Sequence, residues 1–198
     1  MVSRLSIPLL VLVVLLPVTA SAKKPPKPML LEPFAAELRE QKGELSKQED
    51  KALRVASRCL KDDELWVQRM ENDPVNRTYE SLGGAVVCWQ GAEKQALKSG
   101  DGFGAARQWI QTRTRYVETL RSFFFAMMEK LQPGADRKRV CDRLTTALKE
   151  VASAKSVGEA LVEAFQSGSA KALAGQLDAD VTHWGETLVQ HFENQKCG

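Results

Sequence analysis

Apolar side chains recur at three- and four-residue spacing through most of this chain, most fully over 101–131. Ile110, Val117, Leu120, Phe124, Met127 and Leu131 form one stripe there. That is the periodicity of a single helical face. A second apolar set runs through Trp109, Tyr116, Phe123 and Met128. The two sets predict a long inner helix covered from more than one side. Asp101 is its expected N-cap, and Gln132-Pro133-Gly134 its stop.

The same periodicity predicts the other elements. Pro33 suits the first turn of a short helix over 34–42, which Gly43 ends. Ser46 and Glu49 have capping-box spacing and open a helix over 46–71, whose inner face carries Ala52, Ala56, Cys59, Trp66 and Met70. Asp73-Pro74 is read as N-cap and first residue of a helix reaching about 99, with Val75, Tyr79, Leu82, Val86 and Trp89 inward. Gly83-Gly84 within it implies a close helix contact or a kink. A helix over 135–154 turns Val140, Leu144, Leu148 and Val151 inward. Ser156 and Glu159 repeat the capping-box spacing and predict a separate short helix to 166. The last helix, 170–195, buries Leu173, Leu177, Val181, Trp184, Leu188 and Phe192. No segment has the period-two alternation of a strand. The expected fold class is therefore all-α: a bundle of four to five long helices plus short ones.

The amino-terminal segment changes where such a bundle is expected to work. Arg4, the apolar run 5–18 and Ala20-Ser21-Ala22 make the three-part pattern of a cleaved signal peptide over 1–22. The run is interrupted by Pro8 and Pro17 and is short for a membrane span, so no span is expected after cleavage. Residues 23–33, rich in lysine and proline, read as an extended tether. Residues 34–198 read as one domain. Formal charge is only +3, which gives no general attraction to nucleic acid.

Export, in turn, makes Cys59, Cys88, Cys141 and Cys197 candidates for two disulfides. Cys59 and Cys88 lie almost equally far from the Asp73 turn. In an antiparallel hairpin they reach the same height, so the expected pairs are Cys59–Cys88 and Cys141–Cys197. No CxxC motif supports a metal or redox reading.

Little in the sequence suggests catalysis. His183 and His191 on the last helix are the weak candidates for a metal site. Neither follows a glutamate by three residues, as a di-iron bundle requires, and no metal or other cofactor is expected. The segment 101–149 holds ten basic and five acidic residues. Arg107, Arg115, Arg121, Arg137, Lys138, Arg139 and Arg143 are the candidate contact surface. Arg113 falls on the inward stripe, where it needs a buried carboxylate. The expected function is an exported, non-enzymatic helical domain acting by macromolecular contact, in the periplasm or outside the cell. Its partner would be a protein or an anionic envelope component. The alternative is a carrier of a small apolar or lipid-like ligand held near Phe124 and Met127.

Overall fold

Ser46 accepts from the Glu49 backbone N–H through its side chain, and the Glu49 carboxylate accepts from the Ser46 N–H in return. This reciprocal cap starts the second of the helices in a computed structural model that describes residues 29–197. The elements are α1 (Glu32–Lys42), α2 (Lys47–Asn72), α3 (Val75–Ala96), a 3-10 turn (Asp101–Phe103), α4 (Gly104–Lys130), α5 (Arg137–Glu163) and α6 (Gly168–Asn194). There is no strand among the described residues. The expected all-α bundle is the observed one. No described helix is long and apolar enough to cross a membrane. The signal segment 1–22 lies outside the described residues.

Short connections make successive long helices antiparallel neighbours. Thus α2 packs on α3, α3 on α4, α4 on α5 and α5 on α6, while α4 also touches α6. As expected, α4 is the inner helix, with Trp109, Ile110, Tyr116, Val117, Leu120, Phe123 and Phe124 all buried. Helix α1 lies against α6 and closes one end of the bundle. Its Phe34 stacks on Phe165 at 4.3 Å and meets Trp109 of α4 edge-on at 5.2 Å. Buried Glu37 accepts from the backbone N–H groups of Gln166 and Ser167, both at 2.9 Å, and so fixes the chain where it enters α6.

A polar cluster joins four helices across the core. The Arg113 guanidinium donates to Asp63 of α2 at 2.8 and 3.2 Å and to Asp180 of α6 at 3.2 Å. Asp63 also accepts from the indoles of Trp66 and Trp89, at 3.0 and 3.1 Å. The Arg113 cation sits over the Tyr116 ring at 4.9 Å. Burial is the largest single effect and opposes its charge, but Asp63, Tyr116 and Asp180 together outweigh it and hold the guanidinium above its ordinary range. The inward arginine thus has the carboxylate that its position demands.

Both expected disulfides are present. Cys59–Cys88 staples α2 to α3, with Cα atoms 5.6 Å apart. Cys141–Cys197 ties the end of α6 to the first turns of α5, with Cα atoms 5.3 Å apart.

Four expectations need correction. The tether ends sooner than residue 33, because Met29 and Leu31 are buried and the Leu31 N–H donates to Ser57 at 3.1 Å. Asp73 does not cap α3; it ends α2 and pairs with Arg69 at 3.9 Å, while Pro74 stands at the α3 N-cap. Asp101 opens the 3-10 turn instead of capping α4 directly, and Phe103 takes the α4 N-cap position without a side-chain bond. The chain does not restart at Ser156. Helix α5 runs on to Glu163 because its inner stripe continues through Val151, Ala154 and Leu161, all buried. The Ser156 hydroxyl instead donates back to the Ser153 carbonyl at 2.9 Å, which leaves the helix intact. Gly158 in this continuation allows close approach of α6, since a Cβ there would fall 1.8 Å from Asp178 Oδ1.

Candidate functional site

The basic residues of 101–149 do not form one surface. Helix α4 is 27 residues long, about 40 Å at the standard rise. Arg107 lies near its start, donating to the Ser99 and Gly100 carbonyls at 2.6 and 2.9 Å. Arg137 lies beyond its far end and holds the Gln195 and Lys196 carbonyls of the closing segment. Arg139 pairs with Glu129 at 2.7 Å. Lys138 is exposed, its backbone N–H capped by Asp136. Arg115 reaches Ser153 at 3.3 Å on a separate exposed face. Of the seven candidates, the structure brings only Arg121 and Arg143 together.

These two line an open groove of about 390 Å³ running over α4 between α3 and α5. Tyr79, Val86 and Gln90 come from α3, Glu118, Arg121, Ser122 and Phe125 from α4, and Arg143 and Glu150 from α5. Helix α4 turns its 113–117–120–124 face to the core, so 118, 121, 122 and 125 point the other way at 100° per residue.

At one end the Arg121 guanidinium lies over the Tyr79 ring at 5.0 Å and donates to its hydroxyl at 3.3 Å. Arg143 lies over Phe125 at 4.7 Å, and the Tyr79 and Phe125 rings are 5.4 Å apart. The four side chains thus form a ladder of cation, ring, ring and cation. Gly83 leaves room for it, since a Cβ there would already touch Arg121 Nε at 3.7 Å. Gly84 meets nothing within 4 Å, and α3 runs through the Gly83-Gly84 pair without a break. Arg121 Nε is buried with no hydrogen-bond partner.

At the other end two carboxylates face each other across α4 and α5. Glu118 accepts from Gln90 at 2.8 Å, and Glu150 accepts from the Ser122 hydroxyl at 3.5 Å. Burial, then the Glu118 charge, push the Glu150 carboxyl above the usual carboxylate range, against the opposing effect of Ser122. Among the described residues, none of Arg121, Arg143, Glu118 and Glu150 is in an ion pair.

No family model, curated protein or solved structure matches this chain. The site must therefore be read from its own chemistry.

The remaining candidates have other surroundings. His191 rests against the Phe123 ring at 4.9 Å, and burial followed by Lys130 holds its imidazole below its ordinary range. His183 is exposed beside Trp184. No cluster of three or more His, Cys, Asp or Glu residues suited to a metal ion occurs among the described residues. Phe124 is buried against Phe123 and Trp184, and Met127 packs against the same core. A second cleft, about 450 Å³, lies between α5 and α6 and is mostly apolar, with Leu148, Val151 and Val189 in its walls. Neither Phe124 nor Met127 lines it.

Sequence reasoning found Arg121 and Arg143 but missed Glu118, Glu150, Tyr79 and Phe125 as site residues. Glu118 and Arg121 are one turn apart on the same outward face of α4, next to exposed-side aromatic Phe125. That polar and aromatic stripe opposite the core was the available signal.

Proposed function

We propose that this protein is an exported contact module, and that the groove over α4 is where a partner macromolecule docks. One observation carries the reading. Four charged side chains converge on one groove, segregated by sign, and none is in an ion pair among the described residues. Charges on neighbouring helices that served only solubility would be interspersed and free to pair. Here the cations are held over rings, which fixes them without cancelling their charge. Such a surface favours a complement of opposite pattern and rejects others by like-charge contact.

Two disulfides fit an oxidising compartment and support the export half of the reading. The carrier reading depended on Phe124 and Met127 lining a cavity. Their place in the core favours contact over carriage.

Charge reversal tests the docking half. Arg121→Glu with Arg143→Glu, and separately Glu118→Lys with Glu150→Lys, are expected to weaken binding of the natural partner by at least about tenfold, since like-charge juxtaposition costs several kcal/mol. Lys138→Glu, on an exposed position outside the groove, is expected to leave binding unchanged. Equal binding by all three variants, each with native circular dichroism, would remove the groove from the function.

A further inference from the structure

The two charged ends of the groove are a fixed distance apart. Glu118 and Phe125 on α4, and Arg143 and Glu150 on α5, are each separated by two helical turns, about 10 Å along the axis. The antiparallel course of the two helices sets Glu150 beside Glu118 and Arg143 beside Phe125, so the two carboxylates share one height, while Arg121 lies one turn from Glu118 on the side of Arg143. On α3, Gln90 stands at the acidic end and Tyr79 at the basic end. Between the ends the floor is Val86 and Ser122, uncharged and small. The volume, about 390 Å³, is near the lower end of the range for specific ligand pockets, about 300–1,000 Å³. It suits a short segment more than a broad interface.

We infer that the groove takes an extended peptide segment carrying one acidic and one basic side chain three residues apart. The inference rests on the docking reading and names the partner chemistry for the same site. In polyproline geometry residues i and i+3 share a face and are about 9 Å apart. An acidic side chain at one of them meets the guanidinium groups of Arg121 and Arg143, which line the groove and are held over the Tyr79 and Phe125 rings. The basic side chain at the other meets Glu118 and Glu150, whose mutual repulsion it relieves. The two intervening residues lie over Val86 and Ser122, which accept a proline ring without loss of a hydrogen bond, because proline has no N–H to satisfy. A purely acidic peptide gains at the arginine end and is repelled at the glutamate end; a purely basic one meets the reverse.

The test is an NMR titration of the purified protein with acetylated and amidated hexapeptides, following the signals of Tyr79, Val86 and Phe125. The probe is Ala-Glu-Pro-Pro-Lys-Ala. The controls carry two Glu, two Lys, or Glu and Lys at adjacent positions. The spaced dipolar peptide is expected to shift the groove signals and to bind at least about fivefold more tightly than any control. Glu118→Gln with Glu150→Gln is expected to reverse its advantage over the two-Glu peptide. Equal or tighter binding of the two-Glu peptide to the unmodified protein would make the groove a plain anion site and overturn the inference. Failure of every peptide to shift those signals would overturn it as well. If the charge-reversed proteins still lost their natural partner in that case, docking would stand and the extended dipolar segment alone would fall.

Discussion

Arg113→Met is expected to cost about 3–5 kcal/mol of folding free energy, the penalty for stranding a buried charge by removing its partner. Asp63 is left in the core with only the two indole donors, and Asp180 loses its tie to α4. Total stabilities of domains run about 5–15 kcal/mol, so one side chain decides much of whether the bundle holds. Arg113→Lys keeps the charge but loses the two-pronged grip on Asp63, and is expected to fall between the two. Arg113→Met combined with Asp63→Leu removes both charges and is expected to regain part of the loss. Part remains, because the Trp66 and Trp89 N–H groups are then buried without an acceptor. Urea unfolding of the four proteins gives these differences directly. A loss below about 1 kcal/mol for Arg113→Met would mean that the interior tolerates the isolated carboxylate, contrary to its burial.

Removing the disulfides is expected to have effects of the same size, ordered by the loops they close. The bridges span 29 and 56 residues. In the chain-entropy picture they contribute about 3.6 and 4.2 kcal/mol. Cys141→Ser with Cys197→Ser is expected to do more than shift the midpoint. It frees the last turn of α6, where Arg137 holds the Gln195 and Lys196 carbonyls only while the segment stays in place. Amide exchange is therefore expected to rise over 188–197 in that protein and not in Cys59→Ser with Cys88→Ser. The latter pair joins α2 and α3, which pack along their length without it. Equal exchange in both proteins, or a loss below about 1 kcal/mol in either, would contradict this.

Much of the fold is legible because helical periodicity and end signals agree. The stripe is buried from Ile110 to Phe124 as its spacing demands, while Met127 is partly buried and Leu131, just past the end of α4, is exposed; the Ser46 cap has both of its bonds. The disulfide pairing is legible for a simple reason: Asp73 nearly bisects the 59–88 interval, so an antiparallel hairpin has to align the two sulfurs. What misleads is a local motif weighed without its surroundings. The Ser156 and Glu159 spacing resembles a helix start, yet the buried stripe through Ala154 and Leu161 keeps α5 going, since burial outweighs a cap worth about 1 kcal/mol. Asp63 was legible in principle. It interrupts the apolar series 59–66–70 on α2, and a carboxylate in such a place needs a cation. The groove was half legible. Basic residues were visible on α4 and α5, but the facing of Glu118 and Glu150, and of Arg121 and Tyr79, arises only when three helices meet.

The most direct measurement places a photo-crosslinking residue at Gln90 or at Val87 and activates it in the source cell. Gln90 borders the groove, whereas Val87 is 70 % exposed on a part of α3 that does not line it. A crosslinked partner is expected from position 90 and not from 87, and its yield is expected to fall when Arg121 and Arg143 are both changed to Glu. Capture from 87 but not from 90, or none from either position, would contradict a docking role for this groove.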